Sequence, residues 1–411
     1  MQMGELLDAV KTAVDADEVL EIVRRLVMTP SHWALAEREK PIALVLKNLF
    51  EDEGIDVFLQ EVIDGRPNVI ATIKGTGGGK SLMFNGHIDT VPPFGMKDPF
   101  SAVVENGKLF GRGSPDMKAG VGAMAYALIV IKRLGIQLKG DLVFAGVIDE
   151  DAAGSAGTRY LVKNGPKTDY AIVGEPTNLH PVVAHKGIDY FEIVFRGKSV
   201  HSSVPENGVN AILAAADFIG RIERQMVPRY AGLVHPLVGA PTINVGLIQG
   251  CAQGNMPFLL GQSPTFAGTV PDVCKVYIDI RWTPYQTIDQ VTQDVMNLAQ
   301  IVQEERSDVT VEVNYIPMPR PAMEIDSKHN LVQVLNKHIK TVLGSERLVR
   351  GETYWGDSGL LYGLAGIPTL MFGPGDISCA HSDDEFIEIS QLASAVKIYA
   401  LTALDICGHE E

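Results

Sequence analysis

The chain has 411 residues, of which 46% are hydrophobic and 21% are charged, and its formal net charge is −15 at pH 7. At about 150 residues per domain, this length predicts two or three domains rather than a single core. The negative charge repels the phosphate backbone of nucleic acids, and the sequence has no cluster of Lys and Arg to offset it, so we expect no nucleic-acid partner.

The N-terminal residues are acidic and amphipathic, which differs from the basic and then apolar pattern of a signal peptide. The longest strongly apolar stretch, residues 121–131, is shorter than the roughly 20 residues that cross a bilayer. The four cysteines show no C-x-x-C spacing, so a disulfide framework and a thiolate zinc site have little support. We predict a cytoplasmic protein with no membrane partner, in which His and carboxylate side chains would hold any metal.

The first half of the chain alternates short β-branched runs with helical patterns. Strands are predicted at 81–86, 141–149 and 170–174, and helices at 116–135 and 156–165. This alternation predicts an α/β fold with a mainly parallel sheet flanked by helices. In such a sheet, functional groups lie at the carboxyl ends of the strands.

The pattern changes from about residue 186. Strands are then predicted at 189–199 and 275–284, and helices at 208–224 and 287–305, with an irregular insertion at 225–270. This order predicts a smaller α+β lid at 188–309, inserted into a larger domain made of 1–187 and 310–411.

Side chains of the types that bind metals follow the predicted strands. They are His87 and Asp89, Glu150 and Asp151, Glu175, His381 after a further predicted strand at 367–373, and Asp116 at the start of a long helix. Each alone has an ordinary explanation: Asp116 could cap its helix, and the acidic run at 149–151 could be a solvated turn. Together, two imidazoles and several carboxylates at the strand ends of one sheet match the ligands of two divalent cations.

A series of strings in chain order carries a resemblance to a known family. They are "FNGHIDTVPP" (84–93), "GRGSPDMKAGVGAM" (111–124), "DEDAAGSAGTRYLV" (149–162), "VGEPT" (173–177), "RGKSVHSSVPENGVNAI" (196–212), "VPDVCKVYIDIRWTP" (270–284), and "FGPGD" (372–376) with "AHSDDEFIEI" (380–389). They resemble the successive motifs of the co-catalytic metallopeptidases. That family contains acetylornithine deacetylase, succinyl-diaminopimelate desuccinylase, glutamate carboxypeptidases and aminoacylases.

The resemblance implies two divalent metal ions, with zinc as the first choice and manganese or cobalt as alternatives. One ion would be held by His87, Asp116 and Glu175, and the other by Asp116, Asp151 and His381, so that Asp116 bridges the two.

The resemblance also assigns the catalytic roles. Asp89 would orient His87, and Glu150 would be the general base that takes a proton from a metal-bridging water. The reaction would be hydrolysis of a C–N amide bond in an N-acyl amino acid or a small peptide that bears a carboxylate.

Two residues of the predicted lid acquire roles by the same resemblance. His201 would reach the active site of a second subunit and stabilise the oxyanion, which makes a homodimer, or a higher homo-oligomer built from dimers, part of the catalytic unit. Arg281 would bind a substrate carboxylate with its planar guanidinium group.

The chain departs from the family pattern at three positions. Asp151 stands where the family usually has a glutamate, Gly268 stands where related chains often have a substrate-contacting asparagine, and Asp357 lies in a loop that matches only loosely. The insertion at 225–270 does not identify a substrate subgroup.

Two other functions remain open at this stage. The same centre could cleave a C–N bond in a non-peptide substrate, such as a ureido compound or an aromatic amine. The fold could also serve a non-catalytic binding protein, because fold alone does not prove function.

Overall fold

The computed structural model describes residues 3–152, 154–252 and 268–410. The helices in this part of the chain are α1 (Met3–Ala13), α2 (Ala16–Val27), α3 (Lys40–Asp52), α4 (Ala119–Arg133), α5 (Ala156–Asn164), α6 (Ala211–Arg221), α7 (Val227–Ala231), α8 (Ile288–Glu305), α9 (Asn330–Leu343), α10 (Ser358–Ala365) and α11 (Ile389–Cys407). The strands are β1 (Asp56–Ile63), β2 (Arg66–Ile73), β3 (Leu82–His87), β4 (Val104–Glu105), β5 (Lys108–Phe110), β6 (Leu142–Val147), β7 (Tyr170–Val173), β8 (Val182–His185), β9 (Gly187–Arg196), β10 (Thr242–Cys251), β11 (Val273–Trp282), β12 (Thr310–Tyr315), β13 (Met323–Glu324), β14 (Arg350–Glu352), β15 (Thr369–Met371) and β16 (Phe386–Glu388).

The chain divides into two compact units. The first comprises Met1–Ala184, Met323–Glu352 and Gly356–Glu411, and the second comprises His185–Ala322 with Thr353–Trp355. The sequence predicted that the lid ends at residue 309 and that residues 310–411 belong to the larger domain. The structure instead places β12 in the second unit, where it pairs with β9.

A nine-stranded sheet forms the centre of the first unit, in the order β1-β2-β6-β3-β7-β15-β8-β13, with β14 paired to β8. The strands β6, β3, β7 and β15 lie side by side and run parallel. Both β3 and β6 are buried along their whole length, as is typical of strands covered by helices on both faces. The predicted α/β class with a mainly parallel sheet is confirmed.

Helix α4 connects β3 to β6 and is buried from Ala119 to Ile131. A Cβ atom at Gly120 would lie 2.0 Å from the carbonyl oxygen of Gly174, so only glycine allows α4 to approach the end of β7 this closely. This contact fixes the start of α4, and with it the turn Ser114–Lys118, against the carboxyl end of the sheet.

Helix α11 is long and apolar enough, by length and composition, to cross a membrane. It packs against α4 and α9 within the first unit, and most of its apolar window is buried there. The core helix of a water-soluble protein passes the same test, so this is weak evidence for a membrane span.

The second unit contains an antiparallel sheet in the order β10-β11-β9-β12. Residues of β11 alternate between buried and partly exposed positions, which is the period of a strand with one covered face. Helices α6 and α8 pack on that face through a core that includes Phe195, Phe218 and Val295. Helix α8 begins at a capping box formed by Thr287 and Gln290.

Candidate metal centre

The carboxyl ends of the parallel strands position the predicted ligands of the first unit. His87 is the last residue of β3, Glu150 and Asp151 follow β6, and Glu175 follows β7. Asp116 lies in the irregular turn before α4, where the peptide bond between Asp116 and Met117 is cis.

The Asp116 carboxylate lies between two imidazoles. Its Oδ1 is 3.0 Å from Nε2 of His87, and its Oδ2 is 3.4 Å from Nε2 of His381. The same His381 nitrogen is 3.1 Å from Oδ1 of Asp151. The ligand atoms of His87, Asp116 and Asp151 all lie within 4.8 Å of one another. One carboxylate that faces a different imidazole with each oxygen has the arrangement of a bridging ligand.

A backbone contact fixes the tautomer of His87. Its Nδ1 lies 3.0 Å from the carbonyl oxygen of Asp89, which can only accept a hydrogen bond. The proton of the neutral ring is therefore on Nδ1, and the lone pair of Nε2 faces the centre.

The Asp89 carboxylate lies closer to two backbone N–H groups than to the imidazole of His87. Its Oδ1 is 3.7 Å from Nδ1 of His87. Its two oxygens accept the backbone N–H groups of Glu150 and Asp151 at 3.1 Å and 3.0 Å. Asp89 thus orients His87 mainly through its carbonyl group, and its carboxylate holds the loop that carries Glu150 and Asp151.

Negative charge exceeds positive charge among these side chains. Burial raises the pKa of Glu150 and of Glu175 well above the usual range, and neighbouring carboxylates, including Asp357, raise it further against the opposing effect of His87. Hydrogen bonds to Asp116 and Asp151 raise the pKa of His381 to about 10. Bound cations would offset this charge, so the donor set fits divalent metal ions.

Residues that the sequence analysis did not single out support the Glu150 loop. The Arg66 guanidinium donates to Oε1 and Oε2 of Glu39 at 2.6 Å and 2.8 Å, and to Oδ1 of Asp149 at 2.7 Å. Asp149 has a φ of 73° and directly precedes Glu150. These three residues are far apart in sequence, and no local motif signals their contact.

The Asp357 carboxylate is buried in the first unit at the start of α10. The Thr158 hydroxyl donates to its Oδ2 at 2.6 Å. Burial raises the pKa of Asp357, and its charge acts on both Glu150 and Glu175. Asp357 therefore belongs to the electrostatic environment of the centre.

The predicted lid residues lie in the second unit. His201 is exposed, and its Nδ1 accepts the backbone N–H of Ser203 at 3.2 Å. The neutral ring therefore carries its proton on Nε2, which leaves a hydrogen-bond donor at the outer edge. Arg281 donates through Nε and Nη2 to the Asp279 carboxylate, at 3.0 Å and 3.2 Å.

Gly268 and the insertion, which both differ from the family pattern, adjoin or include residues that the structure does not describe. Gly268 lies next to Thr269, which forms an isolated bridge with His201. Residues 253–267 of the insertion lie outside the described residues.

Comparisons with known proteins show the family of this chain. A model of peptidase family M20/M25/M40 matches residues 83–405. The acetylornithine deacetylase of Shigella sonnei is 32% identical over 405 residues, which cover 95% of this chain and 98% of that protein.

Solved structures share the fold. The aminopeptidase PepT of Bacillus cereus has a TM-score of 0.75 at 22% identity, covering 96% of this chain and 99% of that one. The YXEP protein of Bacillus subtilis, described as a dinuclear metal binding peptidase, has a TM-score of 0.70 at 18% identity, covering 95% and 98%. The chain belongs to peptidase family M20/M25/M40 and is a metal-dependent hydrolase.

Proposed function

We propose that the protein hydrolyses the amide C–N bond of an N-acyl amino acid, or of a small peptide bearing a carboxylate, with two divalent ions bound per subunit. The observation that carries this proposal is the position of Asp116 between His87 and His381. The deacetylase and aminopeptidase names of similar proteins support cleavage of an amide.

His87, Asp116 and Glu175 would hold one ion, and Asp116, Asp151 and His381 would hold the other. Zinc is the first choice, and manganese or cobalt also suits a ligand set rich in carboxylates. When bound, such ions supply Lewis acidity that activates water and polarises a carbonyl group.

Glu150 moves the proton. Its carboxylate removes a proton from the attacking water and then delivers it to the nitrogen of the leaving amine. Asp89 keeps Glu150 in place by accepting its backbone N–H at 3.1 Å.

His201 and Arg281 would bind parts of the substrate. The Nε2–H donor of His201 suits the developing oxyanion, and we propose that it serves the active site of a second subunit. Arg281 would bind the substrate carboxylate. Among the described residues of the second unit, β10 is a long edge strand with Leu247 and Ile248 each 46% exposed, which supports a homodimer. We also propose a cytoplasmic location, which the four free cysteines support because free thiols persist in a reducing compartment.

A substrate panel tests this proposal. The purified chain, loaded in turn with zinc, manganese and cobalt, is offered N-acetyl amino acids, N-succinyl amino acids, dipeptides, ureido compounds and aromatic amines. We expect release of a free amine from at least one N-acyl amino acid or dipeptide. Turnover of ureido compounds or aromatic amines alone would favour the alternative substrate class, and no activity on any amide would contradict the proposal.

Mixing two inactive variants tests the role of His201 across subunits. H201A and E150Q are refolded together, so that a mixed dimer has one site with both an intact Glu150 and the partner's intact His201. Random pairing restores about one quarter of the sites. Activity that stays at the level of the separate variants would contradict a role in the second subunit.

A further inference from the structure

Glu385 is a buried carboxylate, 1% exposed, that lies between β16 and the loop of His381. The adjoining strand β16 pairs with β5, and the carbonyl group of Glu385 accepts the backbone N–H of Gly111 at 3.1 Å. Glu385 is therefore held next to the segment that leads into the turn of Asp116.

The two oxygens of Glu385 hold the backbone of two ligand-bearing loops. Oε1 accepts the N–H of His381 at 2.5 Å, and Oε2 accepts the N–H of Gly113 at 2.6 Å. Gly113 begins the turn that contains Asp116. One side chain thus connects the main chain at His381 to the main chain just before Asp116.

Arg112 extends this connection to a third loop. Its Nη1 donates to Oε1 of Glu385, and both side chains are buried. Its Nη2 donates to the carbonyl oxygen of Pro93 at 3.3 Å, in the loop that follows His87. The guanidinium group also neutralises the buried carboxylate, which would otherwise be costly to bury.

His381 needs such support because its backbone has a φ of 59°. This left-handed conformation is unfavourable for a side chain other than glycine, and it persists where surrounding contacts determine it. The hydrogen bond from the His381 N–H to Glu385 is a contact of this kind. It sets the direction in which the imidazole leaves the main chain.

We propose that Glu385 is a positioning residue for the metal centre: its carboxylate holds the His381 loop and the Asp116 turn in register, so that both side chains face the same ion. The inference rests on the proposed two-ion function. A purely structural ion pair between Glu385 and Arg112 would affect stability alone. A positioning role instead requires selective weakening of the ion on the His381 side.

The test compares E385Q with the wild-type chain and with E388Q. Glutamine retains the shape but offers one acceptor oxygen in place of two, so either His381 or Gly113 loses its partner. Glu388 is a matched control because it lies in β16 and makes a half-exposed ion pair with Lys108 at 3.5 Å. Zinc affinities are measured by chelator competition, without any substrate.

We expect E385Q to retain the first zinc ion and to bind the second at least about tenfold more weakly, as is typical when a ligand loses its supporting hydrogen bond. E388Q should bind both ions as the wild type does. In an H381A background, E385Q should cause a smaller further loss than in the wild type, because only the part of its effect that acts through Gly113 and the Asp116 turn remains.

Wild-type affinity for both ions in folded E385Q would overturn the inference, as would an equal loss in E388Q. If E385Q does not fold, E385D provides the same test, since it keeps the charge opposite Arg112 but withdraws the carboxylate by one methylene. If the wild-type chain binds a single ion and E385Q binds that ion more weakly, the result contradicts the two-ion function. It still supports the positioning role of Glu385.

Discussion

Asp116 and His381 lie far apart in the sequence, yet Oδ2 of Asp116 is 3.4 Å from Nε2 of His381. The other oxygen of the same carboxylate faces His87 at 3.0 Å. Because Asp116 has one oxygen for each side, the two halves of the proposed centre share it, and a change at Asp116 should affect both ions.

D116N should weaken both zinc ions together. The amide has a single acceptor oxygen and no negative charge, so it cannot replace a carboxylate that faces two imidazoles. We expect the bound zinc per chain to fall below one after gel filtration, measured by atomic emission. D98N, at an exposed position of the first unit, is the control and should retain the wild-type content. A loss of only one ion from D116N would contradict the bridging arrangement.

Removing metal should lower the thermal stability of the wild-type chain. Ions that bind only the folded state stabilise it by mass action, by about 2.7 kcal/mol when their concentration is 100 times the dissociation constant. Differential scanning calorimetry after EDTA treatment and dialysis should show a lower midpoint, which zinc restores. D116N should show little response to zinc. An identical midpoint with and without zinc in the wild type would be evidence against a metal centre in this unit.

T158V should destabilise the first unit. The Thr158 hydroxyl donates to the buried Asp357 carboxylate at 2.6 Å, and valine has the same shape without a donor. A buried acceptor that loses its partner costs about 1–3 kcal/mol in the free energy of unfolding. Urea denaturation should show this loss for T158V and not for T158S, which keeps the hydroxyl. Equal stability of all three proteins would show that the hydrogen bond contributes nothing.

The contact between α9 and α11 should depend on pH. Asp405 of α11 accepts hydrogen bonds from His338 and Lys337 of α9, at 3.0 Å and 2.8 Å, and these lower its pKa to about 2. A carboxyl group whose pKa is lower in the folded state stabilises above its unfolded pKa of about 3.9, and this stability is lost as the pH falls toward 2.

D405N should therefore unfold more easily than the wild type at pH 7, by on the order of 1–2 kcal/mol, and the difference should shrink toward about pH 2. Urea denaturation at several pH values measures this difference. E346Q removes an exposed pair with Lys340 and should have almost no effect at any pH. A D405N difference that is constant with pH would argue against the ion pairs as its cause.

Apolar runs allowed the central sheet to be predicted, because β3, β6 and α4 are buried on all sides and their sequences show it directly. Helix α5, at Ala156–Asn164, also agrees with the predicted range 156–165. The end of the lid was harder to predict. The run that contains β12 alternates like any edge strand, and only its pairing with β9 assigns it to the second unit.

The contacts among the site residues could not be predicted from the sequence, because they form between segments that are distant along the chain. The family resemblance implied that Asp89 orients His87, but it did not show that Nδ1 of His87 lies closer to the Asp89 carbonyl oxygen than to its carboxylate. Glu385 accepts the backbone N–H of His381 and binds Arg112, which no local pattern indicates.

Proton transfer by Glu150 at a metal centre is the central claim, and E150Q tests it most directly. Glutamine cannot accept the proton of the attacking water, whereas the proposed ligands of both ions are unchanged. We expect E150Q to bind the same number of zinc ions as the wild type, and kcat on the best amide substrate to fall by at least about 10²–10⁴-fold. A folded, zinc-loaded E150Q that turns over this substrate at the wild-type rate would contradict the account.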